Sequence, residues 1–165
     1  MDTLEEKKQS LIEPLSEIFI DQLSRGNSIR MTIKGRSMHP FIKRNDVVTV
    51  KPIKLKETRI GDIIAYRRGS PSNTLTLHRM IIKRQNYIVT KGDANRHGDP
   101  PIYLENIFGK AIIIERNCKV INLETRFNLL ASCLIACHSW SLAVLREVIA
   151  HPHLVLIKIW RRLKG

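Results

Sequence analysis

The sequence predicts a mainly β domain of coiled antiparallel sheets, preceded by a helix and followed by a helical tail. Between residues 28 and 125, short runs rich in Val, Ile and Thr are separated by clusters of Gly, Pro, Asn and Asp. The runs are "SIRMTIKG", "DVVTVKP", "GDIIAYRR", "LTLHRMIIKR", "YIVTKGD", "GKAIIIER" and "KVINL". They recur about every ten residues with no helical pattern between them. This spacing favours antiparallel pairing in a coiled sheet over a parallel doubly wound sheet.

The N-terminal segment, residues 1–27, is predicted to form an amphipathic helix. Apolar side chains recur at helical spacing, acidic residues occupy the other side, and Gly26 follows as a stop signal. The apolar residues are Leu11, Leu15, Ile18, Phe19 and Leu23. Charged residues come before any apolar run, so we expect neither a secretory signal nor an N-terminal membrane anchor. The helix is expected to pack on the β domain.

Residues 126–165 are predicted to form an apolar and basic helical tail. Residues 127–145 carry no charge and could just cross a bilayer. However, Asn128, Ser132 and Ser139 share one helical face, which makes insertion marginal. A helix lying in the membrane interface is favoured, with the Trp and cationic side chains of the tail at the headgroup level. Packing on a partner, or a soluble helical hairpin on the chain's own domain, stays open.

The composition fits one folded domain with a basic surface. The chain has 165 residues, 43% hydrophobic and 26% charged, which supports a core and excludes a disordered or fibrous protein. Lys and Arg number 28 against 15 Asp and Glu, giving a formal charge of +13. Such a charge favours an anionic partner, and a membrane surface and nucleic acid both qualify.

The cysteines give no sign of a disulfide scaffold or a metal site. Cys118, Cys133 and Cys137 are an odd number in a chain of this size. Cys133 and Cys137 lie one helical turn apart, next to His138, but no second pair of ligands accompanies them. We therefore expect small buried thiols and no metal. No Gly-rich strand-to-helix fingerprint is present, and no cofactor is expected.

Ser37 in "GRSMHP" is the first candidate for chemistry. It follows a strand-like run and comes shortly before a Pro, so its hydroxyl is expected in a turn at a cleft. A serine hydroxyl needs a neighbouring base. His78 in "LTLHRM" is a candidate, although a strand histidine is more often a half-buried surface residue. Asp93 or Asp99 in "TKGDANRHGDPP" could orient its ring, although each is also an ordinary turn residue.

Five motifs in a fixed order give residues 29–116 a family resemblance. "GRSMHP", "RNDVVTVKP", "IGDIIAYRR", "LHRM" and "VTKGDANRHGD" resemble the type I signal peptidase superfamily, which also contains the self-cleaving LexA-like repressors. The resemblance implies the signal-peptidase or LexA-like fold of coiled antiparallel sheets. It also implies a substrate strand that adds to a sheet edge beside Ser37.

The resemblance further implies roles for individual residues. Ser37 stands at the nucleophile, and His78 stands where the Ser-His branch, typical of archaeal and endoplasmic-reticulum enzymes, has its base. Asp99 matches the acid of the endoplasmic-reticulum type, which leaves Asp93 as a secondary or loop-organising carboxylate. The backbone N–H of Ser37 is the implied oxyanion donor, because Gly35 offers no hydroxyl two positions earlier.

Other residues near this site have weaker assignments. Met38 and Pro40 are expected to shape the substrate site, although a Met beside a turn is as often a core filler. His39 and His97 could replace His78 as the base, but neither stands at the matching position. Arg79 is expected to be a solvated strand charge or part of a structural ion pair.

We therefore expect a serine endopeptidase that removes a leader or signal segment from a precursor by Ser-His-Asp acyl transfer. It is expected at a membrane surface through its tail, most simply the cytoplasmic membrane, with the membrane face left open. One alternative is a LexA-like self-cleaving DNA-binding regulator. That branch uses Lys as its base, and the residues before the β domain are too few for a helix-turn-helix, so nucleic acid is not the expected partner. The other is a catalytically silent interaction module on the same fold.

Overall fold

A computed structural model describes residues 14–69, 74–125, 128–138 and 141 of the chain. The mainly β prediction is confirmed, because these residues form one strongly curled half-barrel of antiparallel strands with two helices. The helices are α1, residues 14–24, and α2, residues 128–138. The strands are β1 (Ile29–Thr32), β2 (Val47–Pro52), β3 (Ile63–Arg67), β4 (Leu75–Lys83), β5 (Tyr87–Lys91), β6 (Ile102–Tyr103), β7 (Ile107–Arg116) and β8 (Lys119–Asn122). Short 3-10 turns lie at Leu55–Glu57 and Leu104–Asn106.

The strand order is β1-β2-β7-β3-β4-β5-β6, with β8 paired to β7. All seven predicted runs contain a strand, and the two-residue β6 is an addition that the sequence did not predict. Every pairing is antiparallel. Within the described residues, β1 and β6 stand at the two ends of this strand order, and β8 is a further strand with one pairing, to β7.

Two turns of the same construction lead into β2 and β3. In each, a residue with positive φ precedes an aspartate: Asn45 (φ 70°) before Asp46, and Gly61 (φ 97°) before Asp62. Each carboxylate accepts the backbone N–H three positions earlier, at 2.7 Å and 2.8 Å respectively. These local hydrogen bonds close the turns. The motifs "RNDVV" and "IGDII" therefore act as starting points for strands.

The middle strands β3 and β4 are buried on both faces. A larger core on one face contains Leu23, Ile29, Met38, Ile42, Val48, Val50, Ile63, Ala65, Leu77, Ala111, Ile114 and Leu123. A smaller core on the other face contains Ile64, Tyr66, Met80, Ile88 and Ile102. Because neighbouring strand residues point to opposite faces, β3 and β4 contribute side chains to both cores, whereas β5 contributes Ile88 to the smaller core.

Helix α1 packs on the larger core through part of the predicted face, Phe19 and Leu23, together with Ile20. Ile20 and Leu23 are buried, whereas Leu15 and Ile18 are 51% and 56% exposed. The i, i+3 spacing of Ile20 and Leu23 places them together on the domain side, with Phe19 beside them. An ion pair between Glu17 on α1 and Arg67 on β3, at 2.8 Å, joins the helix to the sheet. Leu11 lies outside the described residues.

Helix α2 turns Ser132 and Ala136 toward the domain and Leu130 and Leu134 outward. Ser132 and Ala136 are 6% and 1% exposed. A Cβ atom at Gly61 would lie 2.8 Å from the Ser132 backbone, so glycine is required for this close approach. Leu130 and Leu134 are 62% and 63% exposed. In the described part of the chain, no helix has the length and apolar character needed to span a membrane.

Candidate active site

Ser37 lies in a tight turn after β1 that core residues hold in place. The Arg36 carbonyl accepts the His39 N–H at 3.0 Å, and the Met38 carbonyl accepts the Ile42 N–H at 2.9 Å. Met38 and Ile42 are 3% and 0% exposed and belong to the larger core. Because buried neighbours anchor both ends of this turn, the Ser37 side chain has a fixed position.

Three side chains from distant parts of the sequence form a hydrogen-bonded line. Ser37 Oγ lies 3.0 Å from His78 Nε2, and His78 Nδ1 lies 2.6 Å from Asp99 Oδ2. The side chains of His78 and Asp99 are 1% and 7% exposed. The structure therefore brings together Ser37, His78 and Asp99. Of the two aspartates that the sequence left open, Asp99 is the one beside the ring.

The ionised Asp99 carboxylate decides which nitrogen of the His78 ring carries the proton. Burial by itself would raise the pKa of Asp99, but hydrogen bonds from His78, Thr90 and Tyr66 hold that pKa below its usual value of 3.8. An ionised carboxylate can only accept, so the ring proton sits on Nδ1 of His78. The Nε2 lone pair is then free to accept the Ser37 O–H. In this arrangement the imidazole can take the serine proton, and Asp99 can stabilise the resulting imidazolium.

Two hydroxyl groups from neighbouring strands complete the surroundings of Asp99. The antiparallel register of β3, β4 and β5 puts Tyr66, His78 and Thr90 on the same face of the sheet. Thr90 Oγ1 donates to Asp99 Oδ2 at 2.7 Å. The Tyr66 oxygen lies 3.2 Å from His78 Nδ1 and is hydrogen-bonded to Asp99. Burial raises the pKa of Tyr66, and the negative charge of Asp99 raises it further. The hydroxyl therefore stays protonated and donates a hydrogen bond to Asp99.

Arg79 follows His78 on β4 and therefore points to the opposite face, where it organises the site from behind. Its side chain is fully buried and forms two hydrogen bonds to the Asp93 carboxylate, at 2.8 Å and 2.7 Å. It also donates to the Gly61 carbonyl at 3.0 Å and lies 4.5 Å from the Phe41 ring centre. Such paired, hydrogen-bonded geometry compensates a buried charge. Of the two expectations for Arg79, the structural ion pair is the one observed.

The loop after β5 packs directly against Ser37. The Ala94 N–H donates to the Ser37 carbonyl at 2.8 Å. A Cβ atom at Gly92 would lie 2.7 Å from that same oxygen, so only glycine fits at this position. The loop returns to β5 through a hydrogen bond from the Asp99 N–H to the Thr90 carbonyl, also at 2.8 Å. The same loop thus holds both the Asp99 carboxylate and the Ser37 backbone in place.

The other predicted residues occupy different positions. Met38 is only 3% exposed and fills the core, so the expectation that it contacts a substrate is not supported. Pro40 is exposed and lines a cavity beside the turn. His39 and His97 are exposed, and in the described residues neither is hydrogen-bonded to Ser37. No acceptor among the described residues is bonded to the Ser37 N–H, which leaves it available as an oxyanion donor.

Tyr66 and Thr90 were missed by the sequence reasoning. Each is a strand residue in an apolar, β-branched context, where a hydroxyl side chain gives no separate signal. The available signal was positional. Once β3, β4 and β5 are aligned, both fall on the His78 face. The alignment depends on turn lengths and on a register shift between Met80 and Ile82, which the sequence does not reveal.

The Tyr66→Phe substitution is expected to lower the free energy of unfolding at neutral pH by about 1–3 kcal/mol, because Asp99 loses a donor to its charged form. The lowered pKa of Asp99 means that its stabilising contribution is present above about pH 3.8 and is lost as the pH falls through the folded-state pKa. In the variant that pKa should be higher, so the stability difference should vanish in strong acid. Urea unfolding at several pH values measures this.

Tyr103→Phe serves as the matched control, because Tyr103 is 53% exposed and makes no contact with Asp99 among the described residues. The control should unfold like the wild type at every pH. A Tyr66→Phe penalty that stays constant down to the lowest pH would indicate lost packing and would contradict the assigned hydrogen bond.

A metal site has no support among the described residues, where no cluster of three His, Cys, Asp or Glu side chains could hold an ion. Cys133 is half-buried, whereas Cys137 is exposed. The expectation of buried thiols is therefore wrong for Cys137, which lies on the outward side of α2, and for Cys118, which is exposed in the turn between β7 and β8.

Comparison with known proteins gave no assignment. No protein-family model matches the chain, and the search of curated proteins found no significant match. A functional proposal for this chain therefore rests on its residues and their geometry.

Proposed function

We propose that the protein is a serine endopeptidase of the signal-peptidase type, which removes a leader or signal segment from a precursor. The observation that carries this proposal is the buried Ser37–His78–Asp99 line, with its 3.0 Å and 2.6 Å contacts. A serine, a base and an orienting carboxylate, hydrogen-bonded in this order, form the arrangement that lets a serine hydroxyl attack a peptide bond. A silent interaction module has no need for a buried, polarised imidazole.

The acylation step uses each group of the line. His78 Nε2 takes the Ser37 proton as Oγ attacks the peptide carbonyl carbon, which gives a tetrahedral oxyanion near the Ser37 N–H. The C–N bond then breaks. The proton on Nε2 passes to the departing amine, so the new N-terminus leaves as a neutral amine and an ester joins the leader to Ser37.

The deacylation step repeats the same proton path with water. His78 Nε2 removes a proton from water as its oxygen attacks the ester carbon. The ester bond breaks, and the proton returns to Ser37 Oγ. The leader leaves as a carboxylic acid, which loses the second proton of the water to solvent and becomes a C-terminal carboxylate. Asp99 stays ionised throughout and balances the imidazolium formed in each half-reaction.

Two strand edges near the site support binding of an extended substrate. In the described residues, β1 pairs on one side only. The first half of β4, residues 75–78, pairs with β3, while β5 pairs only with β4 residues from Arg79 onward. Met31 on β1 and Leu75 on β4 both pack against the larger core. An extended peptide could therefore add to this opening by β-augmentation, beside both Ser37 and His78.

Cleavage of a peptide mixture tests the proposal. The peptides carry two Ala residues shortly before a defined bond, because the resemblance implies small residues just before the cut, and vary at the other positions. Mass spectrometry of the products should show cuts after the second Ala with wild-type protein. The Ser37→Ala protein should give none. Absence of cutting by the wild type, or equal cutting by both proteins, would contradict the proposal.

The outward face of α2 supports a membrane-associated location. Leu130 and Leu134 lie one helical turn apart and are mostly exposed, whereas Ser132 faces the domain. An apolar stripe on the solvent side of a basic protein suits the headgroup region of an anionic bilayer. The tail beyond residue 141 lies outside the described residues.

The double substitution Leu130→Ser and Leu134→Ser is expected to reduce vesicle binding by about a hundredfold or more, because each buried Leu contributes about 1.5–3 kcal/mol and tenfold is about 1.4 kcal/mol. Co-sedimentation with phosphatidylglycerol vesicles measures the change. Leu104→Ser, at another exposed leucine, should bind like the wild type. Equal binding of the wild type, the double variant and Leu104→Ser would show that α2 does not contact the membrane.

A further inference from the structure

A cavity of about 750 Å³ opens beside the Ser37 turn. Its walls are the end of that turn, the loop after β5, strands β7 and β8, and helix α2. Its apolar lining includes Phe41, Ile114, Ile121 and Ile135, and its polar lining includes Arg96 and Asn128. The proposed catalytic line uses none of these side chains. The cavity is therefore a separate feature of the site that needs its own explanation.

The cavity adjoins the Ser37 turn, and its lining includes none of Ser37, His78 and Asp99. Pro40 and Ala94 both line it, and the Ala94 N–H is the donor to the Ser37 carbonyl at 2.8 Å. An extended peptide advances about 3.3 Å per residue. If the residues before the cut pair with β1, then the residues after the cut cross Pro40 and reach the cavity within a few positions.

The carboxylates around this region are already neutralised. Asp46 forms two hydrogen bonds with Arg116, at 2.9 Å and 2.6 Å. Asp93 is paired with the buried Arg79, and Asp99 is bonded to the His78 ring. Each of these negative charges therefore has a partner of its own.

Three cations, two in the segment before Ser37 and one on the cavity wall, have no such partner. Lys34 and Arg36 precede Ser37, and Arg96 stands on the cavity wall; all three are exposed. Within the described part of the chain, none of the three forms an ion pair. Clustered like charges repel one another and raise the local concentration of an anionic ligand. An Arg side chain binds a carboxylate with two parallel hydrogen bonds.

We infer that the site selects precursors with acidic residues shortly after the scissile bond, the carboxylate being bound by Arg96 at the cavity wall and an apolar neighbour entering the cavity. This inference rests on the proposed peptidase function. A peptide segment is favoured over a lipid surface because the lining is concave and lies beside the serine, where side chains can enter and a flat bilayer cannot.

Binding of three labelled peptides tests this specificity separately from catalysis. The peptides share an Ala-Gln-Ala sequence before the cut and carry Glu, Gln or Lys at the second and third positions after it. Their dissociation constants are measured by fluorescence anisotropy on the full-length Ser37→Ala protein, which cannot acylate. The Glu peptide should bind about 10- to 100-fold more tightly than the Gln peptide at low salt, as expected for a hydrogen bond to a charged group. The Lys peptide should bind most weakly.

Charge reversal assigns the effect to one residue. Arg96→Glu, placed in the Ser37→Ala protein, should abolish the preference for the Glu peptide and favour the Lys peptide. Arg84→Glu is the matched control, because Arg84 is exposed in the turn between β4 and β5 and makes the same change in net charge. The control should keep the preference. Equal affinities for the Glu and Gln peptides, or equal effects of the two substitutions, would overturn the inference.

Cleavage rates and vesicle binding distinguish this inference from the peptidase proposal and from membrane binding by Arg96. If the wild-type protein cuts the Glu and Gln peptides at equal rates and binds them equally, the acidic preference fails while the peptidase function stands. If the Glu peptide binds preferentially but no peptide is cut, the peptidase function fails while the acidic site stands. If Arg96→Glu weakens binding to phosphatidylglycerol vesicles but leaves peptide binding unchanged, then Arg96 contacts a membrane and the inference is overturned.

Discussion

His78→Ala is expected to lower kcat for peptide cleavage by about 10,000-fold to a million-fold, close to the loss caused by Ser37→Ala. The reason is that the two groups act as a unit. Without the imidazole the Ser37 proton has no acceptor within 3.0 Å, and without the hydroxyl the imidazole has nothing to activate. The double variant should therefore be no slower than either single variant.

The exposed histidines supply the controls for this prediction. His39 lies in the same turn as Ser37, and His97 lies in the loop that carries Asp99. His39→Ala and His97→Ala should keep most of the activity, because neither ring contacts Ser37 in the described residues. Thermal unfolding of each variant shows whether the fold is retained. Additive losses in the Ser37 and His78 double variant, or a large loss with His97→Ala, would contradict the assignment of the base.

Asp99→Asn is expected to lower kcat by about 10,000-fold while the protein remains folded. An Asn side chain can donate its amide N–H to Nδ1 of His78, which favours the tautomer with the proton on Nε2. In that tautomer the ring cannot accept the Ser37 proton. The loss should appear in kcat more than in KM, because the carboxylate does not touch the substrate.

Asp93→Asn is expected to affect the stability of the protein, whereas Asp99→Asn affects the orientation of the His78 ring. Asp93 balances the fully buried Arg79, so this substitution leaves a buried charge without its partner and should cost about 3–5 kcal/mol of unfolding free energy. Urea unfolding and steady-state kinetics of the two aspartate variants provide the comparison. If Asp93→Asn lowers kcat as much as Asp99→Asn at equal stability, the choice of Asp99 as the orienting carboxylate is wrong.

Much of the fold could be predicted because strand periodicity and turn residues are local properties. The runs around Val48, Ile64 and Ile114 form strands where their β-branched residues indicated. The starting turns of β2 and β3 follow from an aspartate after a residue with positive φ. Strand β6 was missed because it has two residues and exists only through its pairing with β5.

The candidate site could be predicted in part for a similar reason. The order of Ser37, His78 and Asp99 is visible in the sequence, and the alternation of strand residues places His78 and Arg79 on opposite faces. The contacts of Tyr66 and the burial of Arg79 depend on register and packing between distant segments. Apolar residues occur on more than one side of α1, so the sequence alone does not decide which side is buried. Packing buries Ile20 and leaves Ile18 exposed.

Covalent labelling of Ser37 tests the central proposal most directly. The full-length protein is treated with a fluorophosphonate, which reacts with an activated serine and loses fluoride, and the modified residue is located by mass spectrometry of the digested protein. The proposal predicts one stoichiometric adduct on the peptide that contains Ser37, formed rapidly in the wild type and at a negligible rate in His78→Ala. An unmodified Ser37 in the wild type, or the same labelling rate after removal of His78, would contradict it.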